Sequence, residues 1–434
     1  MENQKILLIG GNYFPEPTGI GKYNGEMVDW LSNNGFSCTV VTTFPYYPYW
    51  KIQDPYCKRC FWYKKEVRQA SPNALPINII RSPHYVPSKP TSIKRIISDF
   101  SFFFSAYLVI ISLLFRKKYD LVITVAPPFQ LGLLAILYKK IKGAKFSYHI
   151  QDLQVDAARD LNMVKSKTII NLLFSVERFI LRNADVVSSI SAGMIRKVEE
   201  KCNKEVLLFP NWVDTNTFYP LENKHELKKQ FGFKSSDKII LYSGAIGEKQ
   251  GLEAILHSAD FLRKYTDIKF LICGSGPYKE KLQLLKDKLK LENVIFFPLQ
   301  SHSKFNAFLN LADVHLLLQK ENASDLVMPS KLTAILSIGG VAIVTAKKGT
   351  SLFEVVDSAE AGILIDPENQ EALNNSIMET IYSVNNKTIA LNARLFAEKN
   401  LSINEILTKY KFAVQKVGNK KDKNFSSPVF AKTG

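Results

Sequence analysis

The second half of the chain alternates short apolar runs with helix-length segments, and this alternation constrains the fold more than any other feature. Strands that are separated by helices usually pair in parallel, so the pattern predicts a doubly wound α/β sheet. In such a sheet, ligands bind at the carboxyl ends of the strands. The predicted strands are residues 238–242, 269–273, 294–297, 314–318, 341–345 and 363–365.

The first half repeats the alternation. A strand at residues 5–9 leads into a glycine-rich segment at 10–21, and further strands are predicted at 38–43, 121–125, 145–150 and 186–190. A chain of 434 residues exceeds the length of about 250 to 300 residues at which single hydrophobic cores stop growing. We therefore expect two Rossmann-like domains. The predicted divisions are residues 1–208, residues 209–400, a C-terminal helix at 401–417 and a disordered tail at 418–434.

The chain is strongly basic, with 57 Lys and Arg against 40 Asp and Glu and a net charge of +17. This balance favours anionic partners, namely phosphate ligands or an acidic membrane surface. Nucleic acid is not expected, because no aromatic-and-glycine RNA-binding pattern occurs.

Cys57 and Cys60 have half the spacing of a zinc site and no second pair, so they predict no metal site. Met1 to Gln4 contain no basic leader, and we expect a cytoplasmic protein.

Residues 96–115 are nearly all apolar and lie between Lys94-Arg95 and a basic segment at 116–118. Three interpretations remain open for this segment: a transmembrane helix, a buried core helix, or a helix that dips into an anionic leaflet with its flanking cations at the headgroups. Asp99 and several serines interrupt the segment, which disfavours the first interpretation.

Three glycine-rich loops follow predicted strands, at residues 10–21, 244–251 and 274–277. Each leads into a helix, whose first amides and positive dipole end favour an anion. Lys249 adds a full positive charge to the second loop. Neither the dinucleotide spacing G-x-G-x-x-G nor a phosphate-binding G-x-x-x-x-G-K-[ST] loop is present, so a dehydrogenase and a P-loop kinase are disfavoured.

In their order and spacing, six segments resemble family 4 of the glycosyltransferases, a retaining family with the GT-B fold of two Rossmann-like, doubly wound domains facing a cleft. The resemblance covers residues 1 to about 400. The six segments are Pro210-Asn211-Trp212-Val213-Asp214, the loop 244–251, Gly274-Ser275-Gly276-Pro277, Ala312-Asp313-Val314, Pro329-Ser330-Lys331-Leu332 and residues 362–367.

Within that family, residues 12–19, 151–153, 242–251 and 325–333 are most similar to enzymes of the colanic acid fucosyltransferase and N-acetylfucosamine transferase type. The resemblance implies transfer of a sugar, such as fucose or N-acetylfucosamine, from a UDP- or GDP-sugar with retention of configuration. The implied acceptor is a polyprenyl-diphosphate-linked glycan of capsule, exopolysaccharide or O-antigen biosynthesis. Such enzymes work in the cytoplasm, peripherally associated with the inner face of the cell membrane.

The resemblance also implies a set of donor-binding residues. Two glutamates that the family commonly carries are absent, because Leu326 and Ala334 stand at their places. Lys331 is then expected to face the phosphates or the sugar. The implied donor-binding residues are Gly19, Gly21, Gly244, Lys249, Gly274, Gly276, Pro298, Leu299, Asp325, Pro329, Ser330, Lys331, Leu332, Thr350 and Glu354.

The implied catalytic residues are Asp152, His149 and Lys249. The family often has a histidine immediately before such an aspartate, but Gln151 occupies that place, and a structural role for His149 stays open. No Asp-x-Asp occurs, so neither a metal nor another cofactor is expected. Two other functions remain open: a non-catalytic partner subunit, because of the missing glutamates and histidine, and a sugar-nucleotide 2-epimerase.

Overall fold

The computed structural model describes residues 4–16, 19–58, 60–160, 164, 166–321, 330–383 and 385–416. The described residues form two compact units. The first comprises the chain up to Ile190, Met194–Phe209 and the residues from Leu407 onward; the second comprises Ser191–Gly193 and Pro210–Ile406. The tail predicted at 418–434 lies outside the described residues.

The first unit is built on an eight-stranded sheet with the order β3-β4-β2-β1-β5-β6-β7-β8. All neighbouring strands are parallel except β3 and β4, which pair antiparallel at one edge. The strands are β1 (Lys5–Gly10), β2 (Ser37–Thr43), β3 (Lys64–Arg68), β4 (Ile77–Ser82), β5 (Leu121–Ala126), β6 (Lys145–Ile150), β7 (Val186–Ser189) and β8 (Leu207–Leu208).

Helices cover this sheet, and one hydrophobic cluster joins side chains of α2, α3 and α5 to β1, β5 and β6. The central strands are apolar on both faces because helices bury both. The helices are α1 (Gly19–Asn33), α2 (Ser92–Leu114), α3 (Leu131–Lys142), α4 (Gln154–Asp160), α5 (Lys167–Asn183) and α6 (Ala192–Cys202).

The second unit contains a six-stranded, all-parallel sheet with the order β11-β10-β9-β12-β13-β14. Its strands are β9 (Lys238–Ser243), β10 (Ile268–Cys273), β11 (Val294–Phe297), β12 (Val314–Leu317), β13 (Ala342–Thr345) and β14 (Ile363–Ile365). Its helices are α7 (Lys224–Gln230), α8 (Glu253–Phe261), α9 (Lys279–Leu289), α10 (His302–Asn310), α11 (Ser330–Ser337), α12 (Ser351–Ser358), α13 (Gln370–Tyr382) and α14 (Asn386–Phe396).

All eleven strands predicted from the sequence are present, with ends that differ by at most one residue. The prediction missed β3, β4 and β8. The sequence of β3, Lys-Lys-Glu-Val-Arg, is polar because this strand lies at the sheet edge, half exposed. Such a strand lacks the apolar run that reveals a central strand.

The last helix, α15 (Ile403–Lys416), returns the chain to the first unit from Leu407 onward. The Tyr410 hydroxyl lies 2.6 Å from the Ser147 hydroxyl of β6, and its ring stacks on Phe209 with 4.1 Å between centroids. The core of the first unit is therefore completed by residues from the far end of the described chain.

We predict that Tyr410→Ala destabilises the first unit by about 3 kcal/mol, because it leaves a cavity beneath Phe209. Tyr410→Phe keeps the ring and should cost only about 1 kcal/mol for the lost hydrogen bond. Urea unfolding of both variants measures the difference. Equal losses of unfolding free energy in the two variants would contradict a packing role for the ring.

Candidate functional site

The strand order of the second sheet reverses at β9, which has β10 on one side and β12 on the other. The connections from β9 to β11 pass over one face of the sheet, where α8 packs, and the later connections pass over the other face, where α11 and α12 pack. Loops that diverge in this way leave a crevice at the carboxyl end of the central strands. The predicted donor loops begin at this edge.

The loops after β9 and β10 are hydrogen-bonded to each other. The amide of Gly244 donates to the Cys273 carbonyl at 2.9 Å, and that of Ile246 donates to the Ser275 carbonyl, also at 2.9 Å. A Cβ atom at Gly274 would lie 1.9 Å from the Gly244 carbonyl oxygen, and one at Gly276 would lie 2.1 Å from that of Ile246.

These contacts show which amides of the loop already have partners. The amides of Gly244 and Ile246 are bonded within the protein, and that of Gly247 donates to the Gln250 side chain at 3.1 Å. The predicted anion contact concerned the amides at the start of the following helix, and it stays a prediction. A side chain at Gly274 or Gly276 would clash with the neighbouring loop, and this clash is enough to explain why both positions are glycine.

Lys249 lies in a single 3₁₀ turn, Glu248–Gln250, and its side chain is exposed. Its carbonyl accepts a hydrogen bond from the amide of Lys320 at 2.9 Å. This bond joins the loop after β9 to the segment after β12, on the two sides of the switch point. Among the described residues, no ion pair involves the Lys249 ammonium, so the charge is available to a ligand.

Lys331 lies in the first turn of α11 and extends over the end of β9. Its Nζ atom is 4.1 Å from the centroid of the Tyr242 ring, and the Tyr242 hydroxyl donates to the Ala245 carbonyl at 2.6 Å. Burial lowers the pKa of the Lys331 amine to about 7. Because desolvation keeps this pKa near 7, part of the amine is uncharged at neutral pH. A bound anion favours the charged form, so anion binding raises the protonated fraction.

The other predicted donor residues have differing environments. The Thr350 hydroxyl caps α12, since it accepts from the Phe353 amide at 3.3 Å and donates to the Lys347 carbonyl at 2.8 Å. The hydroxyl thus has a donor and an acceptor within the protein, and its contact with the sugar stays a prediction. The Leu332 side chain is fully buried in the core and offers only its backbone to a ligand. Glu354, in the first turn of α12, is exposed.

Three further predicted residues lie on the same edge of the second sheet. Pro298 and Leu299, which follow β11, are exposed, and Leu299 retains 63% of its accessible surface. Ser330 is exposed at the start of α11. Asp325 and Pro329 lie outside the described residues.

In the first unit, His149 is buried inside β6. Its Nδ1 atom is 3.1 Å from the Ser188 hydroxyl, and Phe209 packs edge-on against the ring at 4.8 Å between centroids. Burial lowers the pKa of His149 to about 3, so the ring is neutral. These contacts favour the structural role. Asp152 is exposed just beyond the carboxyl end of β6, a place that a ligand can reach.

Glu16 was not predicted from the sequence, yet it organises the glycine-rich segment of the first unit. Its carboxylate is buried and accepts from the Asn12 side chain at 2.8 Å and from the amides of Tyr46 and Tyr47 at 3.0 and 2.9 Å. Burial raises the pKa of this carboxyl group. A Cβ atom at Gly21 would lie 2.7 Å from the Glu16 side chain, so Gly21 makes room for the carboxylate.

Comparison with known proteins decides the family. Residues 18–212 match the family described as "Glycosyl transferase 4-like domain", and residues 223–392 match "Glycosyl transferases group 1". The chain is 38% identical over 414 residues to WcaI of Escherichia coli K12, which is named as a colanic acid biosynthesis glycosyl transferase; the match covers 94% of this chain and 98% of that protein. The chain belongs to family 4 of the glycosyltransferases.

Solved structures show the GT-B fold. Sucrose-phosphate synthase from Thermosynechococcus elongatus gives a TM-score of 0.74 at 17% identity, covering 96% of this chain and 99% of that one. Anabaena HepE in complex with UDP and glucose gives 0.66 at 13% identity, covering 95% and 100%. The predicted fold class and family resemblance are confirmed, and the protein is a glycosyltransferase of exopolysaccharide biosynthesis of the WcaI type.

In this glycosyltransferase, Cys57 and Cys60 are free thiols. Within the described part of the chain, no group of three or more His, Cys, Asp or Glu side chains is arranged to hold a metal ion.

We predict that the buried histidines of this glycosyltransferase reduce its free energy of unfolding between pH 7 and pH 5. Burial lowers the pKa of His84, His149 and His315 to about 3. The unfolded chain takes up protons near pH 6.5 that the folded protein excludes, so stability is present above that pH and is lost below it. The loss at pH 5 is at most about 2 kcal/mol for each histidine.

Urea unfolding at pH 7, 6 and 5 measures this dependence. His149→Gln, which cannot titrate, should reduce the slope. A slope equal to that of the parent protein in His149→Gln would show that His149 takes up its proton in the folded protein at the same pH as in the unfolded chain.

Proposed function

We propose that this protein is a retaining, metal-independent glycosyltransferase that moves a sugar from a UDP- or GDP-sugar to a polyprenyl-diphosphate-linked glycan. The observation that carries the proposal is a pair of lysines at the switch point of the second sheet. Lys249 lies on the loop after β9, and Lys331 lies at the start of α11 with its Nζ atom over Tyr242. Capsule, exopolysaccharide or O-antigen biosynthesis would use such a product.

The chemistry of the donor explains why two cations are needed. When the bond between the anomeric carbon and the diphosphate oxygen breaks, the leaving group gains negative charge, which fixed cations stabilise. The acceptor hydroxyl attacks on the face from which the diphosphate departs, and its proton passes to a diphosphate oxygen. The new glycosidic bond then has the configuration of the donor.

Fewer observations bear on the nucleoside of the donor than on its diphosphate. A uridine nucleotide is supported by the fold neighbour solved with UDP, and a guanosine nucleotide by the resemblance to fucose-transferring enzymes. Exposed Leu299, beyond β11, offers an apolar contact for a base. On the acceptor side, the first unit offers the exposed carboxylate of Asp152.

Two alternatives are outcomes of the same experiment. A non-catalytic partner subunit is motivated by Ala334 and Leu326 at the places of the family glutamates. It would bind a UDP- or GDP-sugar without turnover. A 2-epimerase would convert the donor sugar without an acceptor. Two measurements separate the three functions: thermal stabilisation by a panel of UDP- and GDP-sugars, and product analysis with and without a lipid-linked acceptor. The anomeric proton coupling of the product tests retention.

We predict that Lys249→Ala lowers kcat about 100-fold, because it removes one full charge from the departing diphosphate. The matched control is Lys288→Ala, which removes another exposed lysine near the end of α9, just before the amino end of β11. Initial rates with a saturating donor measure the effect. Full activity in Lys249→Ala would remove this residue from the donor site.

We predict that UDP binding takes up a proton at pH 8. With the pKa of Lys331 near 7, most of this amine is neutral at that pH, and the diphosphate raises the pKa by favouring the charged form. Calorimetric titrations in phosphate and Tris buffers, which differ in ionisation enthalpy, give the number of protons. Lys331→Met should abolish the uptake and Lys264→Met, an exposed control, should not. If the two buffers give equal heats with the parent protein, Lys331 does not contact the phosphates.

A further inference from the structure

Helix α2 of the first unit is apolar on its buried face and also on its exposed face. Phe102, Ala106 and Ile110 are buried in the core of the unit, with at most 1% of their surface accessible. On the opposite side, the helix exposes a second set of apolar side chains. These are Ile93, Ile97, Phe100, Phe104, Tyr107, Leu108 and Phe115, which retain 67, 51, 41, 63, 40, 60 and 87% of their accessible surface.

The exposed residues form a continuous stripe. At 3.6 residues per turn their positions lie within an arc of about 100°, and Ile111 lies in the same arc. No charged residue of α2 lies in that arc. Surface helices of globular proteins normally present charged or polar side chains there, so an exposed apolar stripe of this length marks an interaction surface.

A neighbouring loop extends the apolar surface. The Tyr63 hydroxyl donates to the Ser105 carbonyl of α2 at 3.0 Å, which holds this loop beside the helix. The two residues before it, Phe61 and Trp62, retain 85% and 75% of their accessible surface. Aromatic residues of this kind, and tryptophan above all, are enriched where hydrocarbon meets headgroups. We call the α2 stripe together with Phe61 and Trp62 the apolar surface.

Cations surround the apolar surface. Lys94 and Arg95 lie in the first turn of α2, Arg116, Lys117 and Lys118 directly follow the helix, and Lys58 and Lys65 flank the aromatic loop; all are exposed. An apolar stripe with lysine and arginine at its margins is the arrangement by which helices lie in the plane of an anionic bilayer. Charge complementarity therefore selects an anionic lipid surface as the occupant.

We infer that the apolar surface binds the face of an anionic bilayer, with α2 lying in the membrane plane. By length and composition alone Ile93–Leu114 would suffice to cross a membrane. Crossing would require the helix to leave the core, because Phe102, Ala106 and Ile110 pack against the sheet. The inference gains its purpose from the lipid-linked acceptor proposed above, since it would bring the first unit to the leaflet that holds such an acceptor.

The test measures vesicle binding by the full chain, without donor or acceptor. In flotation with phosphatidylglycerol–phosphatidylethanolamine vesicles, the parent protein should rise with the lipid and bind much less to phosphatidylcholine vesicles. The double variant Phe104→Glu and Leu108→Glu should lose about tenfold or more in the bound fraction. The matched control, Phe261→Glu and Leu284→Glu, changes the same residue types at sites that are 60% and 65% exposed on α8 and α9, and should bind as the parent does.

Fluorescence reports which residues enter the lipid. Trp62 emission should shift to shorter wavelength on anionic vesicles, and Trp62→Phe should lose that shift. Equal vesicle binding by both double variants would overturn the inference. So would a parent protein that dimerises in solution through α2 and does not float, because the occupant would then be a second copy. Transfer assays in detergent are independent of these outcomes, so failure of vesicle binding and failure of the proposed function are distinguishable.

Discussion

The parallel pairing of β9 with both β10 and β12 determines the geometry of the donor half. From β9 the chain builds outward on one side to β11, and it then returns across the sheet to build β12, β13 and β14 on the other side. Because crossovers between parallel strands are right-handed, this reversal moves the later helices to the opposite face. The loop with Lys249 and the helix with Lys331 therefore approach the end of β9 from different faces, and both cations depend on this one reversal.

The strands of this half could be predicted because the central strands are buried on both faces and are apolar along their whole length. The roles of the loop residues could not. A glycine after a strand indicates a turn, but it does not reveal whether the missing side chain makes room for a ligand or for the protein. A side chain at Gly274 would clash with the carbonyl of Gly244, and one at Gly276 would clash with that of Ile246. Contacts within the protein therefore explain why both positions are glycine.

Hydrogen bonds and packing within the protein account for the other differences at the site. Thr350 stands where an N-cap is expected, and its hydroxyl caps α12, although the family resemblance suggested the sugar. Glu16 gives no sign in the sequence, because its hydrogen-bond donors at Tyr46 and Tyr47 lie about thirty residues away. His149 precedes the loop of Asp152 on a strand, and only the packing of Phe209 and Ser188 around it distinguishes a core histidine from an exposed one.

Helix α2 shows why composition could not choose between a buried and a membrane-bound segment. A helix that is apolar on nearly every side gives no direction to its hydrophobic pattern, so the sequence cannot say which face meets the core. The fold supplies the answer, because Phe102, Ala106 and Ile110 are buried against the sheet. Burial of that face holds the helix against the sheet and opposes its insertion across a membrane. The opposite stripe, which includes Phe104 and Leu108, takes no part in the core and is still apolar. Packing within the domain therefore does not explain why this exposed stripe is apolar, whereas binding to a lipid surface does.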